Sequence, residues 1–161
     1  MSESDRMQVT RTVQASPDQL FALLATPARH TEIDGAGMLR GVEGAGEQVG
    51  GVGEVFLMNM DQEGLGTYQM RNTITAYEPG RKIGWAPELY PLDALKDKIG
   101  DIEPKGHSYT WEFEPDGGGT KVTQTYDWSG VTDQGFRALF PRVTEEQLAE
   151  SIERAGRAAG S

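Results

Sequence analysis

"YTWEFEPDGGGTKVTQTYDW", residues 109–128, is the stretch whose reading decides the fold. Tyr109, Trp111 and Phe113 alternate with Thr110, Glu112 and Glu114. Val122, Gln124, Tyr126 and Trp128 alternate with Lys121, Thr123, Thr125 and Asp127. A period of two marks a strand with one buried face. Two such runs joined by Pro-Asp-Gly-Gly-Gly predict a β-hairpin whose tip uses glycine for positive φ. The Gly-Thr-Lys ending is not a phosphate cradle, because a P-loop needs G-x-x-x-x-G-K-[ST] ahead of a helix and here a strand follows. Two other patterns, Gly35-x-Gly37-x-x-x-Gly41 and Gly44-x-Gly46-x-x-x-Gly50, open no helix after a hydrophobic strand, so they are not dinucleotide fingerprints.

Upstream of the hairpin the alternation recurs. Met7, Val9 and Val13 predict a first strand. "ASPDQLFALLATP" then starts a helix: Ser16 is the N-cap, Pro17 the first helical residue and Gln19 the capping-box partner, with Ala15 and Leu20 spaced as a hydrophobic staple. Thr26-Pro27 repeats the start signal, predicting a second short helix over 27–33. Eight glycines between Gly35 and Gly53 favour turns and short strands there. "VGEVFLMNM" (52–60), "TYQMRNTITAY" (67–77) and "KIGWAP" (82–87) read as strands, and Tyr68, Met70, Asn72 and Ile74 share one face. Residues 87–106 are the least regular, with Leu92, Leu95 and Ile99 spaced for a short amphipathic helix. Thr144 and Gln147 form a second capping box, with Val143 and Leu148 as its staple, ahead of a C-terminal helix. Leu148, Ile152 and Ala155 make that helix's apolar stripe.

The chain has 161 residues, enough for one domain (1–161) with a sizeable core. Acidic residues number 25 and basic ones 15, a net charge of −10, with no basic stripe. Nucleic acid and anionic membranes are therefore not expected as partners. The absence of cysteine excludes disulfides, thiolate metal sites and a cysteine nucleophile. No apolar run reaches membrane-span length and MSESDRMQV lacks the apolar stretch of a signal peptide, so the expectation is cytoplasmic.

Chemistry-bearing residues are sparse. His30 and His107 lack any HxH or HxxxH spacing, so no metal site is expected. His30 reads as a solvated helix-end histidine paired with Glu32 or Asp34. His107, just ahead of a strand, reads as an exposed loop residue or as one facing a cavity mouth. Neither G-x-S-x-G nor HExxH occurs. Strand parity turns Phe56, Met58, Tyr68, Met70, Trp85, Tyr109, Trp111, Tyr126 and Trp128 inward. Asn72 and Gln124 share those faces, and a buried amide needs a partner, a water or a ligand. Apolar walls with a few polar anchors describe a ligand cavity as well as a core.

The order of β, two short helices, a run of strands and a long helix indicates an α+β fold with an antiparallel sheet. On "VTRTVQASPDQLFALLATPARHTEID" (9–34), "ITAYEPGRKIGW" (74–85), "YTWEFEPDGGGTKVTQTYDWSG" (109–130) and "FPRVTEEQLAESIERAG" (140–156), the chain resembles the START/Bet v 1-like (SRPBCC) superfamily, in its bacterial polyketide cyclase/dehydrase-like branch. That resemblance implies a helix-grip fold: a curved seven-stranded antiparallel sheet wrapped around the long C-terminal helix, with two short helices after strand 1. It also implies a hydrophobic cavity between sheet and helix, faced by Leu148 and Ile152, with 87–106 near an entrance. Where the family often has tryptophan after the second helix, this chain has Ile33.

The function expected is binding or carriage of a small hydrophobic ligand (lipid, polyketide or aromatic) without a cofactor. Trp85, Trp111, Trp128, Met58 and Met70 would form walls, with Phe56 and Tyr109. Asn72, Gln124, Tyr68 and Tyr126 would orient polar groups. The alternative is a cyclase or dehydratase acting on a polyketide-like substrate, with His107, Tyr126, Glu54 and His30 as candidate acids or bases. A third reading is a chaperone-activator-type interaction module using an apolar patch on Leu92–Ile99. A monomer or weak dimer is expected.

Overall fold

A computed structural model describes residues 5–34, 39–42, 48–91, 94–100, 103, 105–141 and 143–159. The hairpin at 109–128 forms as its alternation requires. Strand β6 (Ser108–Asp116) pairs with β7 (Gly119–Asp127), with Tyr109 opposite Tyr126 and Trp111 opposite Gln124. Gly117 takes φ +62° at the tip. Gly119 answers a different need: a Cβ there would lie 2.1 Å from the Val13 carbonyl oxygen, so only glycine lets the neighbouring strand approach. That neighbour is β1 (Arg6–Val13), antiparallel to β7 along its whole length.

The other strands are β2 (Leu39–Val42), β3 (Val55–Gln62), β4 (Gly66–Glu78) and β5 (Lys82–Tyr90). All seven form one antiparallel sheet in the order β1-β7-β6-β5-β4-β3-β2. The sheet is curved, in a helix-grip arrangement with the C-terminal helix α4 (Glu145–Ala159). Residues 52–54, expected in a strand, instead form the turn before β3. There the Glu54 Oε2 accepts from the Gly50 N–H at 2.9 Å.

Strand β5 runs further than "KIGWAP" suggested, and its two sides differ. It pairs with β4 out to Tyr90 but with β6 only as far as Trp85 opposite Tyr109. Pro87 lies beyond that parting point. Its missing N–H therefore costs the β5–β6 ladder nothing.

Both capping boxes close as predicted. The Gln19 N–H donates to Ser16 Oγ (3.1 Å) and the Ser16 N–H to Gln19 Oε1 (2.9 Å), starting α1 (Pro17–Leu24). Thr144 and Gln147 repeat the exchange at 2.9 and 3.1 Å ahead of α4. The second short helix is a 3₁₀ helix, Pro27–Glu32, held on its surface by an Arg29–Glu32 ion pair. Short helices α2 (Lys96–Ile99) and α3 (Gln134–Arg137) precede β6 and α4 respectively. Leu95 is buried; Leu92 lies outside the described residues, as does the side chain of Ile99.

Helix α4 packs against β1, β7, α1 and the 3₁₀ helix. Its buried stripe is Leu148, Ile152, Ala155 and Ala159, with Ala149 beside it. Gly156 makes the closest approach, since a Cβ there would sit 2.7 Å from the Val13 Cβ. Among the described residues, no helix is long and apolar enough to cross a membrane.

Candidate functional site: a cavity between sheet and helix

A cavity of about 170 Å³ lies between the sheet's inner face and α4. Strand alternation builds most of its wall. Phe56, Met58, Met60 and Gln62 come from successive inward positions of β3; Tyr68, Met70 and Asn72 come from β4. Cross-strand register stacks them in rows: Met58 faces Met70, and Phe56 faces Asn72, which faces Pro87 on β5. Trp85, Tyr109, Trp111, Gln124 and Tyr126 complete the sheet side, while Leu148 and Ser151 close it from α4.

Both histidines border the cavity, and both are buried. The solvated reading of His30 is therefore corrected: Glu32 pairs with Arg29, and the His30 ring is 3% exposed. Its Nε2 lies 2.7 Å from the Leu24 carbonyl oxygen. A carbonyl only accepts, so Nε2 carries the proton and Nδ1 holds the lone pair. The ring stacks on Trp85 (4.9 Å between centroids) and meets Phe56 edge-on (5.4 Å). Burial lowers its pKa to about 4, the Leu24 bond opposing weakly, so the imidazole is neutral at physiological pH. His107 is enclosed by aromatic rings, with Phe140 at 5.2 Å, Phe136 at 5.6 Å, Tyr109 at 6.2 Å and Tyr126 at 6.4 Å.

The two inward amides differ. In the orientation that satisfies both ends of Gln124, its Nε2 donates to the Leu148 carbonyl (3.1 Å) and its Oε1 accepts from the Trp111 indole N–H (3.2 Å). Gln124 thus ties β7, β6 and α4 together, and protein groups already use both ends of its amide. Asn72, 4% exposed, spends one N–H on the Met70 carbonyl of its own strand (3.2 Å). Tyr68 Oη donates to Gln62 Oε1 (3.1 Å), and Asp34 Oδ2 accepts from the Leu39 N–H (2.7 Å).

Three expected site residues lie elsewhere. Trp128 is outside the lining and stacks on Phe140 at 5.8 Å, on the far side of Tyr126. Ile152, one helical turn beyond Leu148, is fully buried in the core rather than at the cavity. Glu54 sits in the turn before β3, away from the cavity. Conversely, Ile33, Asp34, Leu39, Met60, Gln62, Pro87, Val143 and Ser151 line the cavity without having been expected there. Continuing the parity of Phe56 and Met58 would have found Met60 and Gln62. The spacing i, i+3 from Leu148 would have found Ser151. Asp34 borders the glycine-rich stretch and Leu39 lies within it, where no periodicity exists to read. Among the described residues no group of three or more His, Asp or Glu side chains is placed to hold a metal ion.

A curved antiparallel sheet gripping a terminal helix over a mixed apolar cavity defines the helix-grip class. Residues 4–159 match the family described as polyketide cyclase / dehydrase and lipid transport, and the chain belongs to that family. It is 33% identical over 136 residues to the uncharacterised protein Rv0088 of Mycobacterium tuberculosis, covering 81% of this chain and 52% of that one. The chain thus spans about half the length of the curated relatives it matches. Its fold is similar to that of Ms6760 from Mycobacterium smegmatis (TM-score 0.68, 13% identity, 98% of this chain and 92% of that chain). It is also similar to DynU16 of the dynemicin biosynthetic locus (TM-score 0.61, 13% identity, 99% of this chain and 48% of that chain). At such identities these two likenesses concern the fold.

Proposed function

We propose that the chain binds a small hydrophobic ligand in the cavity between the sheet and α4. The observation that carries this reading is the cavity itself: a volume of about 170 Å³ walled by Phe56, Met58, Met70 and Trp85 within a family that includes lipid transport. Apolar cavities of about 150 Å³ hold a benzene-sized guest. The space therefore suits one ring or a small bicycle, and a four-ring sterol or a long acyl chain needs the walls to move. Burial of apolar ligand surface contributes roughly 25 cal/mol per Å², less the cost of ordering the ligand.

The test is native mass spectrometry of the purified chain, with an organic extract analysed in parallel. A co-purifying apolar molecule, absent after denaturation, is the expected result. A clean apo mass, followed by failure of a panel of one- and two-ring aromatics to bind, overturns the reading.

A second reading, a cyclase or dehydratase of polyketide-like substrates, is favoured by the two buried histidines that border the same cavity. Neutral His30 has a lone pair suited to accept a proton. In that case substitution of His30 or His107 abolishes turnover of a poly-β-keto substrate while circular dichroism is unchanged. Unchanged turnover in both variants removes the histidines from catalysis.

A further inference from the structure

The cavity's polar groups are biased in kind. None of the described residues lining it is a lysine or arginine, and Asp34 contributes a carboxylate. The wall thus offers a ligand carboxylate no lysine or arginine, on a chain whose net charge is −10. Two buried polar groups on one stretch of wall, His30 and Asn72, both carry acceptor atoms. His30 gives its only proton to the Leu24 carbonyl, so its Nδ1 has a lone pair and no hydrogen. Asn72 turns an N–H to the Met70 carbonyl and retains an amide oxygen. Phe56 links them, in register with Asn72 and edge-on to the His30 ring.

From this juxtaposition the geometry points to the ligand class: a neutral one- or two-ring molecule bearing a hydroxyl that donates to His30 Nδ1, and not a carboxylate such as a fatty acid. The inference rests on the cavity-binding reading and narrows it. A buried acceptor left without a donor costs free energy, so a hydroxylated ligand is preferred over its hydrocarbon isostere. His30 has no second N–H with which to bind an anion, and its low pKa keeps it that way at neutral pH.

Titration at pH 7.5 with 4-ethylphenol, 4-ethyltoluene and 4-ethylbenzoate tests this, because the three share one apolar body. The phenol is expected to bind about tenfold tighter than the toluene, the size of one net buried hydrogen bond. The benzoate is expected to be weakest. In His30→Phe the advantage of phenol over toluene should vanish. Should that variant not fold, a long-range ¹H–¹⁵N correlation of the wild-type imidazole replaces it: the Nδ1 resonance moves with the phenol and not with the toluene. Equal phenol and toluene affinities in the wild type, a benzoate that binds best, or phenol binding that leaves Nδ1 unmoved each overturns the assignment while leaving a cavity binder. Failure of all three compounds to bind overturns the binding reading as well.

Discussion

The two halves of the sheet's inner face meet the interior differently. On the β1–β7 side, α4 lies against the strands so closely that Gly156 faces Val13 without room for a methyl group, and Ile152 and Ala155 are fully buried. On the β3–β4–β5 side, the inward row of Phe56, Met58, Met70 and Asn72 borders open volume instead. Both halves carry the same alternating pattern. What separates them is where the helix axis lies relative to the curved sheet, which is a property of the assembled fold. An inward-facing residue is therefore core on β1 and cavity wall on β3, β4 and β5, with Gln124 and Tyr126 of β7 at the boundary between the two.

The sharpest way to break that comparison is to truncate one side chain from each half. Ile152→Ala should cost about 4 kcal/mol, within the usual range for a large-to-small change in a filled core. Met58→Ala should cost less than about 2 kcal/mol, because its side chain already borders a void and has fewer contacts to lose. Urea unfolding measures both, and equal losses would contradict the distinction between halves.

The hollow half should also carry a pH signature. His30 is lowered from 6.5 to about 4 by burial, so the unfolded chain binds the proton more tightly than the folded one. The stability that neutral His30 allows is complete above pH 6.5 and is lost as pH falls toward 4. At about 1.4 kcal/mol per pKa unit, the loss attributable to this residue is about 3 kcal/mol. Unfolding free energies at pH 7 and pH 4 should therefore differ less in His30→Phe than in the wild type, by about that amount. An identical difference in both proteins would place His30 in solvent.

A smaller effect tests the tie between halves. Gln124→Met removes the amide yet keeps the volume, leaving the buried Trp111 indole N–H without its acceptor. A loss of about 1–3 kcal/mol is expected by urea unfolding. The smallest effect is at the filled end. Gly156→Ala gains about 1 kcal/mol of helix propensity but forces a methyl against Val13, which costs about 1–3 kcal/mol. Thermal unfolding should show a net loss of about 1 kcal/mol; a gain would mean that α4 sits farther from β1.

The sequence carried the framework because its devices are local. Capping boxes at Ser16/Gln19 and Thr144/Gln147 act within four residues, and a glycine turn between two alternating runs specifies its own hairpin. The inward faces of β3, β4, β6 and β7 followed from parity alone. Parity could not separate Trp111, which borders the cavity, from Trp128, which packs against Tyr126 outside the lining. Nor could it show that Gln124 would find protein partners while Asn72 keeps an acceptor atom. The solvated reading of His30 fails for the same reason: its burial is supplied by Trp85 and Phe56, more than twenty residues downstream. The extent of β5 is not legible because Pro87 reads as a strand end, whereas β6 begins only at Ser108 and its pairing with β5 stops at Trp85.

The central claim is that the cavity between the sheet and α4 is bordered by β3 and β4 and not by β1. The chain has six methionines, of which Met58, Met60 and Met70 border the cavity and Met7 lies on β1. The most direct test is ¹³C-methyl labelling of methionine followed by titration with toluene. The account predicts saturable shifts at the Met58, Met60 and Met70 methyls with Met7 unmoved. No shift at saturating toluene, or a shift at Met7 equal to the others, would contradict it.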